Sequence, residues 1–146
     1  MTPKEVVTAF VEAHNAHDID KMMSLMTEDS VMIDVAAPIP LDSKKDVRKL
    51  FEMIFASIDI HFEITGMIAE GNKVFAALRT TGRGTGVWVG RDITGARCDV
   101  FEGMFVETQG DQMKTTMFYS DTATLSRQLG GYPPALMMQP DTKNIM

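Results

Sequence analysis

The chain has 146 residues, 45% of them hydrophobic and 23% charged, the balance of one globular domain large enough for a full core. Its net charge is −6 and no basic cluster is longer than Lys44-Lys45, so nucleic acid and an anionic membrane surface are excluded as natural partners. A single cysteine, Cys98, excludes an internal disulfide; no apolar run reaches the ~18 residues of a membrane span and no secretory leader opens the chain, so a cytoplasmic protein is expected.

Thr2 caps a first predicted helix, with Pro3 at its first position and Glu5 three residues after the cap. Val6, Val7, Phe10, Val11 and His14 recur at helical spacing and form one apolar face. The pattern breaks over 15–18, where Asp18 or Asp20 caps a second helix with Met22, Met23, Leu25 and Met26 on its inner side. Residues 30–35 read as the first strand. It carries Asp34 in the run VMIDV, where a carboxylate is costly unless it is paired, hydrogen-bonded or used to move protons. Pro38 and Pro40 make 36–41 a predicted loop. Asp42 or Ser43 then caps a third helix to about residue 57, whose buried stripe is Val47, Leu50, Phe51, Ile54 and Phe55.

Everything after that helix reads as sheet. Ile60, Phe62 and Ile64 alternate with polar residues, and a turn at 70–73 leads into a returning strand at 74–83. Gly82, Gly84, Gly86, Gly90 and Gly95 punctuate the next stretch, as bulges and a strongly curved sheet require. Two long strands are predicted at 97–108 and 113–124, then one helical turn at 125–131, then a proline-rich tail or lid at 132–146. The order predicts an α+β fold: a single domain over 1–131 with three N-terminal helices packed on the concave face of a curved antiparallel or mixed sheet, a cone whose mouth suits a ligand.

The candidate chemistry is carboxylate chemistry. By period two, Met113, Thr115, Met117, Tyr119 and Asp121 share a face, so Asp121 is expected to be partly desolvated and raised towards neutrality. Two acids on opposite walls, Asp34 and Asp121, could divide base and acid work. The plainer alternatives are a solvated Asp121 capping the following turn and an Asp34 bonded to the amides near Ala36 and Ala37. Of Asp99 and Glu102, at most one can point inward. Phe10, His14, Trp88, Met104, Met117 and Tyr119 are the expected wall of the substrate cavity, although Trp88 and His14 suit plain packing as well. The 13 methionines suit either an irregular core or a soft wall around a bulky apolar ligand. His14, His17 and His61 show no metal-ligand spacing, and no phosphate loop or dinucleotide fingerprint occurs, so neither a metal nor a cofactor is expected.

Four segments together carry a resemblance: NAHDIDKMMSLMTEDSVMID; Ser57 to Phe62; the run Thr81-Gly82 through Gly86, Gly90 and Thr94-Gly95; and Asp121 followed by Leu125 to Gly130. They resemble the SnoaL-like polyketide cyclases of the nuclear transport factor 2-like superfamily, over about residues 4–131. The resemblance implies a cystatin-like cone, a homodimer through the outer sheet face, and a general acid/base at Asp121. Met117 stands where the family has tryptophan, and Gly84 where it has histidine. The opening also resembles ketosteroid isomerase without a gap from Phe10 to Asp34, which implies a proton-shuttling base at Asp34; Phe10 stands where that enzyme has a donor tyrosine. The expected function is therefore a cofactor-free cyclase or isomerase acting on a small hydrophobic substrate, a bulky polyketide or terpenoid intermediate closed by an aldol-type or related reaction. A non-catalytic binding scaffold and an epoxide hydrolase or dehydratase are the alternatives.

Overall fold

The first helix, α1 (Pro3–Asn15), begins as its sequence demands. Thr2 Oγ1 accepts from the Glu5 amide at 3.2 Å and the Glu5 carboxylate accepts from the Thr2 amide at 2.6 Å, closing a capping box. Its end is tied to the sheet by Asn15, which donates to the Phe62 carbonyl and accepts from the Phe62 amide, both at 2.8 Å. Asp18 caps the short α2 (Ile19–Ser24), and Ser43 caps α3 (Lys44–Ser57). The computed structural model describes residues 1–88 and 90–130, the side chains of 37–39 excepted; the expected tail at 132–146 lies outside them.

The strands are β1 (Met26–Asp34), β2 (Ala37–Leu41), β3 (Ile58–Glu70), β4 (Lys73–Gly84), β5 (Val87–Trp88), β6 (Arg91–Asp92), β7 (Arg97–Gln109) and β8 (Gln112–Tyr119), followed by α4 (Thr122–Gln128). Six of them form one mixed sheet in the order β2-β1-β8-β7-β4-β3, while β5 and β6 form a separate hairpin. Every pairing is antiparallel except β1 with β8, which run parallel. The fold is α+β, with the helices on one face of the sheet, here termed the inner face.

The core lies between that face and the helices. Val6, Val7 and Phe10 of α1, Met22 and Met23 of α2, and Val47 and Phe51 of α3 are buried against Ile58, Ile60 and Phe62 of β3, Val74, Ala76 and Leu78 of β4, and Met104 and Val106 of β7. All of these strand residues are even-numbered, as period two requires. Met22, Met26, Met104 and Met113 are wholly buried, so these methionines are core, each worth roughly 2–3 kcal/mol of apolar burial.

Three expectations are corrected. The predicted loop at 36–41 contains β2: Pro38 and Pro40 are tolerated because β2 is an edge strand, where a missing amide costs no ladder bond on its open side. The last strand stops at Tyr119 rather than running to 124, because Asp121 is a helix cap that starts α4 at Thr122. A bulge interrupts the β7–β8 ladder, where Thr115 pairs with Glu107 but Met113 with Thr108, leaving Lys114 as the extra residue. Met113 is therefore buried on the inner face, while Met117 and Tyr119, opposite Phe105 and Gly103, lie on the outer one.

Candidate active site

The inner face becomes polar towards the C-terminal ends of β1 and β8. Asp34 ends β1 on the parity of buried Met32, and its parallel partner is Phe118, a half-buried ring that packs on the core. Phe118 is also the cross-strand neighbour of Met104 on β7. Two residues along β7 from Met104 stands Glu102, between buried Val100 and buried Met104 and opposite buried Leu78. Two strand spacings and two residues separate the Asp34 and Glu102 backbones, about 12 Å. Both side chains start from the same face, with Phe118 on the strand between them. Among the described residues no cluster of acids, histidines or cysteines is close enough to hold a metal ion.

The three acids sit in different environments. Asp34 is half-buried and its Oδ1 accepts from the Ala36 amide at 2.9 Å, the bond to a loop amide foreseen as the plainer reading. Asp121 is exposed; its Oδ1 accepts from the Thr124 amide at 3.1 Å. The Thr124 hydroxyl and amide hold its carboxyl below the usual carboxylate range, with a smaller pull from Arg127. That is the reverse of the raised acid expected there, because β8 has ended at Tyr119 and Asp121 is an exposed helix cap rather than part of an inward strand row. Glu102 is the acid that burial raises. The hydroxyls of Thr80 and Ser120 partly offset the rise, and the charges of Asp34 and Asp121 add to it.

The expected cavity wall is placed unevenly. Phe10 and Met104 are 0% exposed and His14 1%, so all three are packed core rather than open cavity wall. The His14 ring stacks on Phe62 at 3.8 Å and 5°, edge-on to Phe51 and Phe55. Burial lowers its pKa to about 4, so it is neutral near pH 7. Asn15 Oδ1 already accepts from the Phe62 amide and lies 3.2 Å from His14 Nδ1; Nδ1 therefore donates and Nε2 is left without a proton. Trp88 is half-buried at the edge of the core. Met117 and Tyr119 face outward, so Tyr119 cannot orient a substrate oxygen beside Glu102 on the inner face. Arg79 also faces outward, in a two-pronged pair with Asp99 at 2.9 and 2.6 Å. Glu102 itself had a legible signal: it shares the parity of Cys98, Val100, Met104 and Val106, an apolar row interrupted by one acid.

A family model described as SnoaL-like polyketide cyclase matches residues 4–129. The chain belongs to the SnoaL-like polyketide cyclase family. Solved structures of the same fold include a proposed polyketide cyclase from Xanthomonas campestris pv. campestris, 19% identical, with a TM-score of 0.82 over 88% of this chain and 96% of that one. IdmH from Streptomyces antibioticus, also described as a proposed polyketide cyclase, is 19% identical with a TM-score of 0.78 over 89% of this chain and 99% of its own. AclR from Streptomyces galilaeus, described as a proposed hydroxylase, is 20% identical with a TM-score of 0.79 over 98% and 91%. At these identities the likeness concerns the fold. No curated protein matches the sequence. Among the described residues, no helix is long and apolar enough to cross a membrane.

Proposed function

We propose that this SnoaL-like cyclase closes or isomerises a ring in a bulky, mostly apolar polyketide- or terpenoid-type intermediate without a cofactor, by an aldol-type or related acid/base reaction. The observation that carries the reading is Glu102: a carboxyl on the helix-covered face, pushed up by burial, with Asp34 on the same face two strands away. Unlike environments assign unlike roles to two acids. Asp34 takes a proton from the carbon that becomes nucleophilic; that carbon's electron pair forms the new bond to a carbonyl carbon. The carbonyl oxygen takes its proton from Glu102, and water returns the proton from Asp34 to Glu102. Asp121, expected from the family resemblance to be the acid/base, here supplies negative charge that helps keep Glu102 protonated.

The test is turnover of a polycyclic β-keto ester by Glu102→Gln, Glu102→Asp, Asp34→Asn and Asp121→Asn. Loss of a positioned proton donor or base costs on the order of 100-fold or more, so Glu102→Gln and Asp34→Asn should each lose that much, and Glu102→Asp less. Because Glu102 must hold its proton, the wild-type rate should fall as pH rises through a pKa above the usual carboxyl range. Wild-type rates in both Glu102→Gln and Asp34→Asn, with unchanged far-ultraviolet spectra, would remove the mechanism. The solid packing around Phe10, His14 and Met104 favours a second reading, a binding scaffold without turnover. That reading predicts ligand affinity in every variant and product in none. The pairing of Arg79 with Asp99 on the outer face speaks against an epoxide hydrolase that would use that arginine.

We also infer a homodimer through the outer sheet face. Phe75, Phe105 and Met117 are cross-strand neighbours there, and exposed Phe101 and Tyr119 extend the apolar row. Phe105→Asp should convert a dimer to a monomer in sedimentation; a wild-type monomer at micromolar concentration sinks the inference.

A further inference from the structure

A groove of about 640 Å³ lies at one end of the sheet, lined in part by Asp59, His61, Thr81, Arg83, Arg97 and Gln128. None of Asp34, Glu102 or Asp121 lines it. Across its floor Arg83 of β4 is in direct register with Arg97 of β7, both exposed, and Asp59 of β3 is in register with Arg83 on the other side. Like charges directly opposite on one sheet face repel. The neighbouring acid that could relieve them, Asp99, is held by the Arg79 fork, and Asp59 lies 3.7 Å from His17. Among the described residues neither Arg83 nor Arg97 has an ion-pair partner. Gln128 forms a fixed wall: its side chain accepts from the Asp99 amide at 2.7 Å and donates to the Asp99 carbonyl at 3.1 Å, replacing the strand that ended at Tyr119.

We propose that this groove binds a small organic molecule through a carboxylate or phosphate group seated between Arg83 and Arg97. Two guanidinium forks side by side match the oxygens of either group, and an anion between them turns a repulsion into two attractions. Thr81 and His61 lie in the next row of the same face and offer further polar contacts. The groove is larger than a bare oxyanion, so it has room for an organic body beside the charged group. The chain as a whole is acidic at −6, so the attraction is local rather than a general affinity for anions.

Binding is measured on the full chain by amide chemical-shift titration with inorganic phosphate and, separately, with citrate, at constant ionic strength set with chloride. Saturable shifts around Arg83 and Arg97 are expected with at least one of the two, and the stronger arm identifies the head group. Arg83→Gln and Arg97→Gln should each weaken binding by about tenfold or more. Both should fold, since each removes a repulsion. Asp59→Asn removes a competing negative charge and should tighten binding severalfold, a gain that a damaged fold cannot mimic. No saturable shift with either anion overturns the proposal, as does equal binding by the wild type and both arginine variants.

Discussion

His14 predicts a specific loss of stability in acid. Its pKa falls from 6.5 to about 4 on folding, chiefly because burial against Phe51, Phe55 and Phe62 excludes water from the charged ring. A histidine with a depressed folded pKa binds its proton more readily in the unfolded chain. Its contribution is therefore complete above pH 6.5 and is lost as pH falls towards 4. At about 1.4 kcal/mol per pKa unit, that loss is roughly 2 kcal/mol by pH 5 and about 3 kcal/mol by pH 4. Carboxylates also titrate there, so the measurement is a difference. Urea unfolding of the wild type and of His14→Phe is compared at pH 7.5 and at pH 4.5. His14→Phe loses the bond to Asn15 and should be less stable at pH 7.5, but it should lose less stability on acidification. Parallel pH slopes in the two proteins, or a His14 ring titrating near 6.5 by nuclear magnetic resonance, would refute the reasoning.

Two further outcomes follow from backbone geometry. Asn15→Ala leaves both the amide and the carbonyl of Phe62 without partners on the open edge of β3, which should cost about 2–3 kcal/mol in urea unfolding and expose the β3 edge to amide exchange. Gly84→Ala places a methyl group onto the Ile93 carbonyl, which belongs to backbone and cannot swing aside; the segment after β6 must shift, at a cost of several kcal/mol seen as a large drop in Tm. A Gly84→Ala protein melting within a degree or two of wild type would show that this contact is not tight.

Where local rules act alone, the sequence was readable. Thr2, Pro3 and Glu5 announce the start of α1, and the pair Asp42-Ser43 the start of α3, where Ser43 is the cap, because a cap is decided within four residues. The apolar faces of α1 and β3 follow from periodicity, and the fold class follows from the order of elements. The candidate site was harder because one residue decides it. Lys114 bulges from the β7–β8 ladder, and period-two counting carried through it assigns Met117 and Tyr119 to the wrong face; carried past the end of β8, it makes Asp121 seem desolvated. A bulge depends on two strands at once and leaves no mark in the alternation of either. Parity allowed at most one of Asp99 and Glu102 to point inward, but the neighbours of Glu102, Asp34 and Asp121, come from segments 68 and 19 residues away, so the crowding of charge that raises it is a property of the sheet order. The edge position of β2, which permits its prolines, is likewise a tertiary fact.

The parallel seam between β1 and β8 sets a schedule for the growing polypeptide. Until residues beyond 111 have left the ribosome, β1 can be joined only by β2, and the sheet's middle is missing. Closing that seam joins residues 84 to 87 positions apart, so it carries a large loop entropy and should come late. The gap between Asp34 and Glu102 is bridged by that same strand. A nascent or truncated chain can thus own both acids and still have no catalyst.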